Sequence, residues 1–251
     1  MKKTFALLSF ALILYACGSK KTETDSSDSI AIAGESTSAN QLSEQQKADG
    51  WKLLFDGQTM AGWRPFKNKV NDSWEVLDGT LHCKKVNDTI ENKRGDLMTT
   101  DQYENFELAF EWRIAPQGNS GVIYRVTEDF DVPYASGPEY QLIDDVGYPG
   151  ELKAANKTAC NYDMHEAKNK TLNPPGEWNS SKIVVNGNHV EHWLNGVNVL
   201  EYEFGSADWK KRVAGSKWKD FPGYGLSKAG YIDLQDHGSE AWFRNLYIKV
   251  L

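Results

Sequence analysis

The feature that most constrains the fold is a two-residue alternation of apolar and polar side chains, interrupted by Asp-Gly and Asn-Gly pairs. The segment from Phe106 to Ile114 has apolar residues at every second position and mostly charged residues between them. Side chains alternate across a β-strand, so this pattern indicates strands with one face in a core. Asp-Gly and Asn-Gly pairs favour two-residue hairpin turns. Because no long amphipathic helical period follows Trp51, the sequence predicts an all-β body.

The same alternation locates the individual strands. We predict hairpins of 74–77 with 80–83 and of 181–185 with 190–194, and further strands at 106–114, 122–126, 139–143, 231–235 and 241–250. Other segments are predicted as a turn at 118–121, a long loop over 144–180 and one short helix within 207–220. About a dozen short strands without an internal repeat favour two stacked antiparallel sheets, a jelly-roll sandwich, over a propeller.

The N-terminus is typical of a bacterial lipoprotein signal. Two lysines precede an apolar run from Phe5 to Ala16 that is short for a membrane span, and the run ends in a lipobox-like Leu-Tyr-Ala-Cys. An ordinary cleaved signal peptide is the alternative. We predict a signal peptide at 1–16, lipidation of Cys17, a disordered linker over 17–47 and a globular domain over 48–251. The expected location is the cell envelope, with the lipid anchor as the only membrane attachment.

Composition argues against several other classes of protein. The 28 Lys and Arg residues are outnumbered by 35 Asp and Glu, and a net charge of -7 argues against nucleic-acid binding. No zinc-site spacing, Gly-rich phosphate loop or dinucleotide motif is present, so we expect neither a metal nor an organic cofactor. Cys83 and Cys160 are expected as buried or idle thiols, although a disulfide between them stays open.

A series of short motifs runs in order along the body. It includes Leu54-Phe55-Asp56-Gly57, Phe106-Glu107-Leu108, Gly118-Asn119-Ser120-Gly121, Gly137-Pro138-Glu139-Tyr140-Gln141, His192-Trp193-Leu194-Asn195-Gly196 and Gln235-Asp236-His237-Gly238. In this order, the motifs resemble the 3-keto-disaccharide hydrolase domain family of secreted and lipid-anchored bacterial proteins. The resemblance implies a concanavalin-A-like sandwich that acts on glycosides whose sugar carries a ketone at its third carbon.

A ketone at C3 acidifies the hydrogen on C2, so the glycosidic bond can be broken by proton abstraction and β-elimination, followed by addition of water. This route needs a base, donors for the developing enolate and an acid for the leaving group. Glu139 and His237 are predicted as the catalytic pair. A glutamate base needs apolar walls that raise its pKa, whereas a histidine titrates near neutrality. His192 is a third candidate, equally consistent with a core histidine.

A polar groove is predicted beside these groups, on the face of a sheet that its partner sheet does not cover. The predicted substrate-binding residues are Glu111, Arg113, Asn119, Arg125, Gln141, Trp178 and Asp236. Trp178 is the candidate for stacking on a sugar ring. An ion pair on a solvated face is the alternative for Glu111 and Arg113.

Two other functions compete with this hypothesis. A carbohydrate-binding module on the same sandwich would use the groove only to hold a sugar. A laminarinase-type endoglucanase would need paired carboxylates about 5 to 5.5 Å apart. Gln141 stands where the middle acid of that enzyme's motif is expected, which disfavours the endoglucanase.

Overall fold

The computed structural model describes residues 39–87 and 93–251, and the strands within these ranges form two antiparallel sheets. The strands are β1 (Trp51–Leu53), β2 (Trp63–Pro65), β3 (Trp74–Leu77), β4 (Thr80–Cys83), β5 (Leu97–Thr99), β6 (Phe106–Ile114), β7 (Asn119–Val126), β8 (Glu139–Ile143), β9 (Asn179–Asn186), β10 (His189–Leu194), β11 (Val197–Glu203), β12 (Tyr231–Leu234) and β13 (Ala241–Val250). The helices are α1 (Glu44–Ala48) and α2 (Ala207–Gly215). The predicted signal peptide and Cys17 lie outside the described residues.

The larger sheet has the order β11-β10-β9-β6-β13-β4-β3, with β1 also paired to β13, and the smaller sheet has the order β2-β5-β12-β7-β8. This confirms the predicted all-β sandwich of the jelly-roll, concanavalin-A-like type. Within the described part of the chain, no helix has the length and apolar character needed to cross a membrane.

The predicted hairpin turns form where the sequence places them. Asp78 and Gly79 join β3 to β4 with φ values of 48° and 73°, and Asn195 and Gly196 join β10 to β11 with 48° and 82°. Two consecutive positive φ values define a turn whose twist matches that of the flanking strands, and Asx-Gly pairs adopt it at low cost.

Aromatic side chains from the inner faces fill the space between the sheets. From β6 of the larger sheet, Phe106 and Phe110 meet Tyr124 and Tyr140 of the smaller sheet at ring-centroid distances of 6.5 and 5.8 Å. All four residues are at most 2% exposed. The outer faces of the two sheets therefore lie on opposite sides of the core.

Two boundaries differ from the sequence predictions, whereas the two cysteines are as expected. The turn predicted at 118–121 lies earlier, closed by a hydrogen bond from Gly118 N to Ala115 O, and Asn119 already belongs to β7. The predicted helix over 207–220 ends at residue 215, because the Ser216 hydroxyl accepts from Trp218 N and starts a separate 3-10 turn. Cys83 and Cys160 are both free and buried.

The end of the predicted linker is held against the globular body. The Asn40 amide donates to Gly79 O at 2.8 Å, and Asn245 N donates to Asn40 Oδ1 at 2.9 Å. α1 follows, with Ser43 as its N-cap. Residues 39–47 are therefore ordered, in contrast to the disorder expected from their composition.

Candidate active site

The candidate site lies on the outer face of the smaller sheet. Along β8, Tyr140 and Leu142 point into the core, so Glu139 and Gln141 point outward. Glu139 pairs with Ile123 of β7, which pairs with Asp233 of β12. Opposed residues share a face, so Asp233 and Glu139 lie in one row, two strands and about 10 Å apart.

A loop and a glycine enclose the Glu139 side chain. Tyr162 N donates to Glu139 O at 3.0 Å, and Ala159 N donates to Gln141 O at 2.9 Å, so the loop runs along the free edge of β8. Glu139 crosses Gly121 of β7, where an added Cβ would lie 2.4 Å from Glu139 Oε1. Glu139 is consequently only 4% exposed.

Burial changes the acidity of Glu139. Loss of solvent raises the pKa of its carboxyl to about 8, although the positive charge of Lys217 and a contact with Gln235 act in the opposite direction. A carboxylate with so high a pKa is a stronger base than an ordinary glutamate. A glutamate base needs this increase, and the described surroundings of Glu139 provide it.

Asp233 and Asp96 form a second acidic group in the same region. Asp233 is fully buried, and its carboxyl contacts that of Asp96, a contact that lacks a donor unless one of the two carries a proton. Burial and the neighbouring Asp96 raise the pKa of Asp233 well above its usual range, and burial raises that of Asp96 to about 7. Both carboxyls are therefore harder to ionise than ordinary aspartates, and one shared proton would remove the repulsion between them. This pair can supply a proton near neutral pH.

Several buried acceptors on this face have no hydrogen-bond partner within the described ranges. They are Asn119 Oδ1, Gln141 Oε1 and Gln235 Oε1. Unpaired buried acceptors are costly, and a ligand that donates hydrogen bonds removes the cost. The face is therefore chemically complementary to a ligand rich in hydroxyl groups.

Two cavities are lined by neighbours of these acids, although neither lining includes Glu139 or Asp233 itself. One, of about 260 Å³, is lined by Asp96, Gln235, His237 and Tyr134, among others. The other, of about 480 Å³, includes Lys217 in its lining. Lys217 Nζ lies 5.8 Å from the ring centroid of Tyr134, a residue of the smaller cavity.

The structure brings five of the predicted site residues to this region: Glu139, His237, Asn119, Gln141 and Asp236. His237 is exposed at the smaller cavity. The carboxylate of Asp236 is bound by the Arg94 guanidinium and by Gly95 N at 3.2 Å. Asp236 therefore holds Arg94 at the cavity wall, which differs from the direct substrate contact predicted for it.

His192 lies in the core, on the opposite side of the smaller sheet from Glu139. Its Nδ1 donates to Ala159 O at 2.9 Å, and its Nε2 accepts from Tyr124 Oη at 2.9 Å. Burial lowers the pKa of His192 to about 3, which keeps the ring neutral. The catalytic role considered for His192 is corrected to a structural one, because the ring is 0% exposed and both nitrogens are bonded.

Arg125 also lies away from the site. The strand β7 has one more residue than β12 between two paired positions, and Arg125 occupies this bulge with a φ of 57°. Its guanidinium donates to Gly187 O at 2.6 Å and stacks on Phe204 at 4.6 Å. The prediction that Arg125 binds substrate is therefore wrong, because the bulge breaks the alternation on which it rested.

Glu111, Arg113 and Trp178 lie on the outer face of the larger sheet. Arg113 stacks on Trp178 and on Trp242 at 5.1 and 4.5 Å. Glu111 accepts from Arg244 Nε at 2.7 Å. Glu111 is therefore in an ion pair, but with Arg244 rather than with Arg113 as the alternative had it. The predicted groove does not include the three residues, because the whole core lies between them and Glu139.

Sequence reasoning missed Asp233, Asp96, Gly121 and Lys217. Asp233 had a visible signal: it is a single acid within the otherwise apolar strand β12, two residues before Gln235 and on the same face. Gly121 and Lys217 had no comparable signal, since their importance depends on contacts between distant segments. Over the described ranges, no group of three or more His, Cys, Asp or Glu residues is arranged to hold a metal ion.

The sandwich, with a buried high-pKa carboxyl beside unpaired acceptors, is typical of an enzyme that acts on carbohydrates. Residues 50–249 match the 3-keto-alpha-glucoside-1,2-lyase-like domain family. The chain belongs to this family. Membership confirms the prediction of a hydrolase or lyase that acts on glycosidic bonds.

Individual relatives agree with this assignment. A Bacteroides thetaiotaomicron protein named 3-keto-disaccharide hydrolase is 35% identical over a 292-residue alignment that covers 100% of both chains. A Parabacteroides distasonis crystal structure, provisionally assigned as a glycosyl hydrolase, is 42% identical, with a TM-score of 0.78 over 85% of this chain and 99% of that one. A second structure from that organism, with the same provisional assignment, is 30% identical, with a TM-score of 0.62 over 80% of this chain and 99% of that one.

Proposed function

We propose that the protein cleaves 3-keto-glycosides or 3-keto-disaccharides by removal of the C2 proton, β-elimination and addition of water, which together give net hydrolysis. The names of the family and of the Bacteroides relative support a 3-keto substrate. The observation that carries the mechanism is the enclosed Glu139 carboxyl, whose pKa burial raises to about 8, beside acceptors that await a polyhydroxylated ligand.

In the first step, Glu139 takes the hydrogen from C2, and the electrons of the C2–H bond form an enolate with the C3 carbonyl. When the carbonyl re-forms, a double bond forms between C1 and C2 and the bond from C1 to the leaving oxygen breaks. The leaving oxygen takes a proton from an acid of the site. Water then adds to the double bond, with its hydroxyl on C1 and a proton on C2, so the net change is hydrolysis.

Two groups are positioned to supply the proton. Asp233 resists ionisation because burial and Asp96 raise its pKa, and His237 stands exposed at the smaller cavity, where a leaving sugar can enter. We assign the proton on the leaving oxygen to His237, because Asp233 is fully buried beneath the face. The Asp96 and Asp233 pair then maintains the local proton supply.

The envelope location is part of this proposal. It is supported by the lipobox-like sequence that ends in Cys17 and by the polar composition that follows it. Metabolic labelling of the full chain with an acyl-chain probe tests the anchor. We expect label in the natural sequence and none in Cys17→Ser.

Activity is tested with 4-nitrophenyl glucoside and its 3-keto counterpart, using the chain from residue 17 with Cys17→Ser. We expect release of 4-nitrophenol from the keto form only. Release from the unmodified glucoside alone would point to an ordinary glycosidase, and binding without release would favour a carbohydrate-binding module. Glu139→Gln should lower kcat/KM by about 100-fold or more, whereas the exposed Glu166→Gln should leave it unchanged.

A further inference from the structure

Lys217 places a cation above aromatic rings at the edge of the site. Its Nζ lies 4.4 Å from the ring centroid of Tyr162 and 4.5 Å from that of Trp218. Ring faces attract a cation but satisfy none of its hydrogen-bond donors fully. Among the described residues, Lys217 Nζ has neither a hydrogen-bond acceptor nor a carboxylate in an ion pair, so its N–H groups are free to bind an incoming oxygen.

The position of Lys217 is fixed by its neighbours. Trp218 is 1% exposed and donates from Nε1 to Tyr162 O at 3.0 Å. Its ring is stacked on Tyr224 with a centroid distance of 4.3 Å and an angle of 4°. Because Trp218 is held in this way, the backbone of the adjacent Lys217 is fixed as well. The side chain of Lys217 itself reaches solvent.

Lys217 also faces the proposed base. Tyr162 connects the two, because its N–H bonds to Glu139 O while its ring lies under Lys217 Nζ. The charges interact: Lys217 favours the ionised form of Glu139, and Glu139 favours the protonated form of Lys217, although burial lowers the pKa of Lys217. The two charges therefore interact across their shared neighbour Tyr162.

We propose that Lys217 is a catalytic residue that binds the C3 oxygen of the substrate and stabilises the negative charge that forms there when Glu139 removes the C2 proton. This inference rests on the proposed function and adds the missing electrophile. The C3 oxygen changes from a neutral carbonyl to an enolate, so an ammonium binds it more tightly in the transition state than in the ground state. No bond to Lys217 forms, and its proton count is unchanged.

The first experiment isolates enolisation from bond cleavage. The probe is a 3-keto sugar without a leaving group, 1,5-anhydro-3-keto-glucitol, and NMR in D₂O measures exchange of its C2 hydrogen. Lys217→Met should lower the enzyme-catalysed exchange, and the cleavage of 4-nitrophenyl 3-keto-glucoside, by about 100-fold each. Lys211→Met, an exposed lysine of α2, is the matched control for charge and should change neither rate.

The outcomes separate Lys217 from the proposed function. If the natural enzyme cleaves no keto substrate, the proposed function fails. Suppose that the natural enzyme cleaves the keto substrate. If Lys217→Met then keeps both rates, or loses cleavage but keeps hydrogen exchange, only the assignment of Lys217 is overturned. Lys217→Arg, which keeps a cation, should recover part of the exchange, and an equal loss in folded Arg and Met variants would overturn the electrostatic role.

Two further measurements complete the test. Thermal melting establishes folding, and Lys217→Gln replaces the Met variant if the latter does not fold.

Ketones can also react with lysine to form an imine, so the enzyme is treated with borohydride in the presence of the anhydro sugar. The proposal expects no sugar adduct on Lys217 by mass spectrometry, and a trapped adduct there would replace it with covalent catalysis.

Discussion

At the scale of single residues, the chemistry of the site depends on how Glu139 is enclosed. The loop that contains Tyr162 covers the edge of β8, and Gly121 leaves room for the carboxyl to lie flat on the sheet. Neither neighbour supplies a charge. Removal of solvent, rather than a nearby acid, is the main cause of the raised pKa of Glu139.

The raised pKa of Glu139 predicts a pH dependence of stability. The folded-state pKa of about 8 exceeds the ordinary value of 4.5, so the folded protein binds an extra proton between these values. The contribution of Glu139 to the free energy of unfolding is therefore complete below about pH 4.5, and it is lost as the pH rises through 8. We expect Glu139→Gln to gain stability relative to the natural protein over this interval, measured by urea unfolding at several pH values. A constant difference between the two proteins would contradict the assignment.

Gly121 offers a test of the geometry. An added Cβ would lie 2.4 Å from Oε1 and 2.9 Å from Cδ of Glu139, so Gly121→Ala should displace the carboxyl, lower kcat/KM and cost about 1 to 3 kcal/mol of stability. In a Glu139→Ala background the obstructing atoms are gone, and the same glycine substitution should cost little. A double-mutant cycle on the free energy of unfolding measures the coupling, and additive costs would show that the two residues do not touch.

At the scale of strands and turns, the alternation of apolar and polar residues predicted where the strands lie. It did not predict how the strands are arranged in the two sheets. β6 and β8 have the bounds that the pattern gave, and each has the predicted inward face. The pattern contains no information on which sheet a strand joins, however. Glu111 on β6 and Gln141 on β8 thus look equivalent in the sequence, although they lie on opposite outer faces of the sandwich.

Arg125 shows the second limit of sequence reasoning. A bulge adds one residue to β7 and reverses the faces beyond it, and the sequence around Arg125 has no glycine to mark the positive φ. The site residues from loops were hidden for another reason. Lys217 is placed near Glu139 by contacts of Tyr162 and Trp218, which depend on the complete fold.

The bonds of His192 predict a structural role for this strand position. His192→Ala removes a ring that links Tyr124 with the Ala159 carbonyl, and it should cost about 2 to 4 kcal/mol of stability. The folded fraction should keep its kcat. Chemical unfolding together with active-site titration separates the two quantities, and a large fall in kcat per folded molecule would return His192 to the catalytic candidates.

At the scale of the whole molecule, the two outer faces have different chemistry. The smaller sheet carries buried acids and unpaired acceptors, whereas the larger sheet carries arginines that stack on tryptophans and pair with carboxylates. On the smaller sheet, the unpaired acceptors lack hydrogen-bond donors, which a substrate can provide. On the larger sheet, the arginines have ring or carboxylate contacts, although Arg113 Nε has no hydrogen-bond partner among the described residues.

This difference predicts which face tolerates substitution. Arg113→Ala and Trp178→Ala should keep kcat/KM within about twofold, because the core separates both from Glu139. Gln141→Ala should lower kcat/KM by about tenfold, the value of one lost hydrogen bond to substrate. Steady-state assays with the keto glucoside compare the three variants. Strong loss in the first two, with little in the third, would move the site to the larger sheet.

The stacked rings beside the site have a further consequence. Trp218, Tyr224 and Trp209 stack in series, at 4.3 and 5.5 Å, and continue the core outside both sheets. We expect the backbone amide hydrogens of Trp209, Trp218 and Tyr224 to exchange with solvent only when the whole sandwich unfolds, because the stacked rings are part of its core. A sugar therefore meets a wall that is already in place, and little of its binding energy is consumed in ordering the protein.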